Sequence, residues 1–264
     1  MSSSTQTSVG APILYAFSEI DTLASALSSL IVDVQKGAID SKGTFNIAIS
    51  GSAIKTLATA LLSNTNGIIA YSRWSISFAD ECAVPLDNAD SNYALLKAEL
   101  LDKLPVSHQP AVHPIDPDLL DDLEGLSDSY ETKLIDKVSS RGESRFPNFD
   151  LVLLGCGLDG HTCGLFPNHE LLKEESSWVA YLDDSPEAPA QRITLTLPVL
   201  NHARAVAFIT NGQPKAEILR TVLDQPNAGL PCSLVRPKHP GQVYWFVDDA
   251  AAEQVSYPKT SFNF

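Results

Sequence analysis

The sequence predicts a doubly wound α/β domain, a mostly parallel sheet with helices on both faces, and three observations carry that expectation. Apolar runs such as residues 149–154 (FDLVLL) and 205–210 (AVAFIT) have the near-continuous hydrophobicity of strands buried on both faces. Between such runs lie longer segments whose apolar residues recur at three- and four-residue steps, the period of a helix with one buried face. Glycine-containing turns follow the strands at Gly51, Gly155 and Gly212, and the carboxyl ends of parallel strands are where open α/β sheets gather their ligand-binding loops. With 264 residues, 44% of them hydrophobic, the chain has material for one large core. We expect a polar tail over residues 1–12 and a single domain over 13–264.

Taken in order, residues 18–34 place Leu23, Ala24, Leu27, Leu30, Ile31 and Val34 on one helical face, with Ser18 and Asp21 marking the start. Residues 46–50 (NIAIS) form a short strand that passes through Gly51-Ser52 into a helix over 53–62. Residues 74–79 alternate as a strand whose tip carries Asp80 and Glu81. Asp90-Ser91-Asn92 caps a helix reaching about residue 104, and the proline-rich stretch 105–117 is a loop around a short strand at 111–115. Residues 119–139 are a helix with an acidic outer face. Beyond the central strand 149–154, strands at 178–182 and 192–197 flank a proline-rich connector at 183–189. A short helix over 198–203, the strand 205–210, a helix over 215–223 behind Pro214, a last strand at 244–247 and a short C-terminal helix complete the chain.

Charge narrows the possible partners. A net charge of −14 repels nucleic acid and anionic membrane surfaces unless cations are gathered locally, and the sequence has no block of lysine and arginine to do so. A small anionic ligand therefore needs a few placed cations, and Arg192 and Lys215 are the candidates. The four cysteines, Cys82, Cys156, Cys163 and Cys232, form no C-x-x-C pair and no zinc spacing. They read as reduced thiols of a cytoplasmic protein that needs neither metal nor cofactor. No apolar run approaches the roughly 20 residues of a membrane helix, and the first residues lack the basic start and apolar stretch of a signal peptide.

Chemistry concentrates in residues 148–169 (NFDLVLLGCGLDGHTCGLFPNH). Gly155, Gly157 and Gly160 bring bare backbone N–H groups close to a ligand, while Asp159 and His161 supply titratable side chains, the imidazole being the one that ordinarily titrates near neutrality. Taken singly, Asp159 is a turn former and His161 a structural histidine; together, past a buried strand, they mark a ligand site. Ser50-Gly51-Ser52 is a second candidate, because the unpaired N–H groups at a helix start favour an anion. Ser52 either presents its hydroxyl to a phosphate or N-caps the helix.

The stretch G-C-G-L-D-G-H-T-C-G-L-F-P-N-H closely resembles the signature of the 6-phosphogluconolactonases, G-x-G-x-D-G-H-T-x-S-L-F-P, a family related in fold to the glucosamine-6-phosphate deaminases. The likeness extends to Asp90-Ser91-Asn92, to Arg192-Ile193-Thr194-Leu195-Thr196 and to Lys215 in Gly212-Gln213-Pro214-Lys215. It implies a monomeric enzyme of the pentose phosphate pathway that hydrolyses 6-phospho-D-glucono-1,5-lactone. His161 would serve as the base, Asp159 would orient it or hold substrate hydroxyls, and backbone N–H groups of the Gly155 to Gly160 loop would steady the oxyanion. Ser50, Gly51, Ser52, Arg192 and Lys215 would hold the sugar phosphate. Three positions depart from the family pattern. Ser50-Gly51-Ser52 stands for S-G-G-S, Cys82 for the arginine of D-E-R, and Gly164 for serine. They leave open a weakened or non-catalytic member that acts as a binding protein, and a sugar-phosphate isomerase or deaminase is the remaining alternative.

Overall fold

The computed structural model describes residues 10–65, 67–138, 145–238 and 240–263. Its strands are β1 (Ile13–Phe17), β2 (Phe45–Ile49), β3 (Trp74–Phe78), β4 (Asp80–Cys82), β5 (Ala111–His113), β6 (Leu151–Leu154), β7 (Val179–Leu182), β8 (Arg192–Leu195), β9 (Ala205–Thr210) and β10 (Gln242–Asp248). The helices are α1 (Ile20–Lys42), α2 (Gly51–Leu62), α3 (Asn92–Glu99), α4 (Leu123–Val138), α5 (Leu197–Leu200), α6 (Ala216–Asp224) and α7 (Pro231–Leu234). Seven strands pair in parallel in the order β1-β10-β9-β6-β2-β3-β5, which bears out the doubly wound α/β expectation.

Why the central run reads as continuously apolar is visible in its side chains. Leu151 and Leu153 point to one face of the sheet, and Val152 and Leu154 to the other, as the two-residue period of a strand requires. The first face packs on Leu23, Leu27, Leu30 and Ile31 of α1 and on Ile54, Leu57 and Leu61 of α2. The second packs on Leu126, Tyr130 and Leu134 of α4 and on Leu219 and Val222 of α6. With both faces covered, a polar residue along β6 would have no water to meet, and all four of its residues are apolar and buried.

Four expectations are corrected. The acids past the end of Trp74–Phe78 do more than mark a strand tip: Asp80 to Cys82 form a strand of their own, β4, which leaves the main sheet and pairs antiparallel with β8, itself paired with β7. The N-terminal segment contributes an unanticipated strand, β1, at the edge beside β10. The capped helix α3 stops at Glu99 and gives way to a single 3₁₀ turn at Leu101–Lys103. After β10 the chain forms turns rather than a helix. Helix α1 runs further than expected, to Lys42, and α4 begins at Leu123; its expected end at residue 139 and residues 1–9 of the tail lie outside the described residues.

Candidate active site

The sheet reverses its winding between β2 and β6. From β2 the chain moves outward through β3 and β5, and from β6 it moves the other way through β9 and β10. The loops leaving two neighbouring strands at such a point diverge and leave a crevice. Here the loops are Ser50-Gly51-Ser52 after β2 and Gly155-Cys156-Gly157 after β6, and both line a cleft of about 430 Å³. They are tied together: the Ser50 N–H donates to Leu153 O at 2.9 Å, and Gly155 N–H donates to Ser50 Oγ at 3.2 Å. Helix α2 starts at Gly51, so Ser50 rather than Ser52 occupies the N-cap position. Ser52 is thereby moved into the first turn, against Gly155, where a Cβ on residue 155 would collide with the Ser52 hydroxyl.

The loop after β6 folds back on itself to present His161. Gly157 N–H donates to His161 O at 2.8 Å, Gly160 N–H donates to Gly157 O at 3.1 Å, and Thr162 Oγ1 donates to Gly155 O at 2.9 Å. The imidazole meets Asp159 at 2.6 Å between Nδ1 and Oδ1, and its ring packs on Phe166 with centroids 4.6 Å apart. A Cβ at residue 157 would occupy the space of both His161 and Asp159. Gly157 is therefore what lets the pair lie over the loop. Burial alone would raise the Asp159 carboxyl, but the N–H and ring of His161 more than offset it and its pKa is lowered. A carboxylate only accepts, so Nδ1 carries a proton, and in the neutral imidazole Nε2 is the acceptor.

Not every expected residue meets the cleft. Ser50, Gly51, Ser52, Gly155, Gly157, His161, Arg192 and Lys215 line it, whereas Asp159 stands behind His161 and Gly160 forms the turn. Gly160 is tied on both sides, its carbonyl accepting from Cys232 N–H at 3.1 Å. The N–H groups of all three glycines are committed inside the protein, so an oxyanion donor from the Gly155 to Gly160 loop has to come from its other residues. Gly164 also lies off the lining: its N–H donates to Thr194 Oγ1 at 3.0 Å, and a Cβ there would come within 2.8 Å of the Thr194 side chain. Of the three departures from the family pattern, this one is a packing matter between the loop and β8.

Two cations line the cleft. Lys215 is delivered by a 3₁₀ turn before α6, which Asp248 anchors by accepting the Gly212 N–H at 2.9 Å; its Nζ donates to Cys156 O at 2.6 Å. Arg192 is the first residue of β8 and is buried. Its Nε donates to Pro189 O at 2.9 Å, and its Nη2 donates to Glu187 O at 3.0 Å and Ala188 O at 3.2 Å. Nη1 makes no hydrogen bond among the described residues. Cys82 faces Arg192 across the β4–β8 ladder; burial pushes its thiol up to about 12, so it adds no charge.

Among the lining residues not assigned to the site from the sequence, Asp80, Asn92 and Glu187 bring polar side chains. Asp80, at the exit of the main sheet, is buried, and burial pushes its carboxyl up to about 6 while Arg192 and His161 pull it back. Its Oδ1 has no partner among the described residues. Its place just past a strand was the signal that marks it. Asn92, whose Nδ2 donates to Asp80 O at 2.8 Å, packs over Gly51 and gives the Asp90-Ser91-Asn92 motif a role beyond the Ser91 cap. Glu187, in the proline-rich connector, places Oε2 3.8 Å from His161 Nε2. The proline content of its connector suggests a stiff loop near the site mouth, and Glu187, Ala188 and Pro189 do line the cleft, but nothing in the sequence singles out Glu187 itself. Among the described residues no group of three or more His, Cys, Asp or Glu side chains is arranged to hold a metal.

A switch-point cleft with an Asp–His pair and two inward cations can be compared with known proteins on more than its fold. The profile of the family described as glucosamine-6-phosphate isomerases/6-phosphogluconolactonase matches residues 18–245. The chain belongs to this family. A Schizosaccharomyces pombe protein named probable 6-phosphogluconolactonase is 41% identical over 243 residues, 90% of this chain and 94% of its own. The human 6-phosphogluconolactonase is 40% identical over 253 residues, 93% and 95% of the two chains. The crystal structure of 6-phosphogluconolactonase from Leishmania guyanensis superposes with a TM-score of 0.78 at 26% identity, covering 92% of this chain and 98% of that one. A monomeric glucosamine-6-phosphate deaminase shares the fold, with a TM-score of 0.66 at 17% identity over 92% and 99% of the two chains.

Proposed function

We infer that the chain hydrolyses 6-phospho-D-glucono-1,5-lactone to 6-phospho-D-gluconate, the ring-opening step of the oxidative pentose phosphate pathway. The observation that carries this reading is the Asp159–His161 pair with Nε2 free to accept, in the cleft that Lys215 and Arg192 enter. Nε2 takes a proton from water, the water oxygen bonds to C1 of the lactone, and the tetrahedral intermediate breaks the bond between C1 and the ring oxygen. The imidazolium then returns its proton to that oxygen. Asp159 holds the ring orientation and stabilises the transient positive charge, as the carboxylate does in other histidine-based hydrolases.

Lys215 and the Nη1 edge of Arg192 hold the phosphate, supported by the first turn of α2 at Ser50, Gly51 and Ser52. Both cations already hold backbone carbonyls, so the dianion enters a site whose positive charges are fixed in place. With a neutral thiol at Cys82 the cleft lacks the charge-assisted contact that an arginine makes, worth roughly 10- to 150-fold in kcat/KM. The result is a weaker lactonase rather than a silent one. An isomerase or deaminase reading is disfavoured, because the curated relatives at about 40% identity carry lactonase names. We read the working form as a cytoplasmic monomer.

Steady-state rates on freshly made phosphorylated and unphosphorylated gluconolactone test the assignment. Lys215→Ala should raise KM for the phosphorylated substrate at least tenfold and leave the slow turnover of the other nearly unchanged. Equal losses on both substrates would assign Lys215 to holding the loop through Cys156 instead.

A further inference from the structure

We propose that the Glu187 carboxylate is a second catalytic acceptor, which holds the attacking water jointly with His161; this rests on the lactonase reading. The connector carrying Glu187 is pinned by its backbone. Ser185 Oγ donates to Glu187 O at 2.9 Å and accepts from Glu187 N–H at 3.3 Å, Ser185 N–H donates to Ala190 O at 3.2 Å, and Arg192 holds the three carbonyls of residues 187 to 189. So many bonds on a surface loop fix where residue 187 projects. Its side chain is 58% exposed and directed at the cleft, with Oε2 3.8 Å from His161 Nε2.

That separation is too long for a direct hydrogen bond and suits one shared partner. A water about 2.8 Å from each atom would subtend an angle of about 85° between them, near enough to its own bond angle for it to donate one proton to each. Both acceptors are available. Nδ1 is committed to Asp159, which leaves Nε2 as a lone pair, and the Glu187 carboxylate oxygens accept no hydrogen bond among the described residues. Held this way, the water turns its lone pairs away from both acceptors and toward the cleft. In the step that follows, the proton on the Nε2 side moves to imidazole, the oxygen bonds to the lactone carbon, and Glu187 keeps its hydrogen bond to the remaining hydroxyl proton. The histidine alone deprotonates a water free to rotate; the second acceptor fixes its direction, and misdirection by about an ångström costs on the order of 100-fold.

The same geometry gives Arg192 a second duty. By gathering the carbonyls of residues 187 to 189 it aims Glu187, so it couples the phosphate end of the cleft to the water end.

Glu187→Ala, Glu187→Gln and the parent, assayed for kcat and KM on fresh phosphorylated lactone, test the proposal. We expect kcat to fall about 10- to 100-fold in Glu187→Ala with KM within twofold of the parent. Glu187→Gln, which keeps one acceptor oxygen, should lose less. Melting temperatures should match, since the loop is held by its backbone. A Glu187→Ala kcat within twofold of the parent overturns the role, as does a fall in KM at unchanged kcat, which would make Glu187 only a repeller of the anionic substrate. A parent that does not accelerate lactone opening overturns the lactonase reading itself, and the water-holding role with it.

Discussion

Asp80 makes the protein's stability depend on pH in an unusual direction. Its folded carboxyl titrates at about 6, against 3.8 when unperturbed, because burial disfavours the charged form. Between about pH 4 and 6 the folded state therefore binds more protons than the unfolded one, and stability falls as pH rises. The charged form costs on the order of 3 kcal/mol above pH 6. Glu81 moves the same way, up to about 7 through burial, although the N–H groups of Cys82, Asn92 and Tyr93 pull it back. Asp80→Asn should therefore be more stable than the parent at pH 7.5 in urea unfolding, with the advantage shrinking toward pH 4. An advantage that persists unchanged at pH 4 would mean that the carboxylate charge is not its source. At this scale the sequence marked residues by type and place: His161, Asp159, Ser52 and Lys215 stand just past strands, and that rule located them. Glu187 stands past no strand of the main sheet; the prolines of its connector suggest a stiff loop near the site mouth, but the approach of residue 187 to His161 depends on Arg192 of β8 folding that loop inward, which the connector's own residues do not show.

The corner between β3 and β4 is the element on which the site's shape depends, since it sends the chain out of the main sheet toward β8. Tyr130 of α4 pins it: its hydroxyl accepts from Phe78 N–H at 2.7 Å and donates to Phe78 O at 3.1 Å. Tyr130 is buried, so losing the hydroxyl strands two backbone groups away from water. Tyr130→Phe should cost about 1–3 kcal/mol in chemical unfolding while keeping the helix content of the parent. A loss below about half a kilocalorie would show the corner held by packing alone. A three-residue strand such as Asp80–Cys82 has no period to read, which is why the sequence offered a strand tip there. The edge strand β1 escaped for another reason: its partner, β10, begins more than two hundred residues downstream. The missing C-terminal helix has a cause as well. Asp248 accepts from Ala251 N–H at 2.8 Å, as a helix start would, but its carboxylate also takes Gly212 N–H, and the chain goes on to lay Thr260 N–H on Leu14 O at 2.8 Å.

Across the whole molecule, the doubly wound sheet gathers loops from positions about 50, 80, 160 and 215 at one set of strand ends, the β7–β8 connector joins them from the small sheet, and the cleft is where they meet. The alternation of strand and helix made that architecture legible, because parallel pairing follows from crossovers whose periods are written locally. The small antiparallel sheet was not legible, since it joins segments whose only cue is each other. Within a protein of net charge −14, the cleft holds Arg192 and Lys215 beside Asp80, Asp90 and Glu187, and on the reading proposed above those two cations are what would draw in a phosphate dianion. No helix among the described residues is long and apolar enough to cross a membrane. The central claim, that this cleft opens a phosphorylated lactone with His161 as its base, is tested most directly by one comparison. Initial rates on freshly prepared 6-phospho-D-glucono-1,5-lactone, corrected for spontaneous opening, should show the parent well above background and His161→Ala about 10²- to 10⁴-fold slower at an unchanged melting temperature. A parent no faster than background, or a His161→Ala within a few-fold of it, would contradict the account.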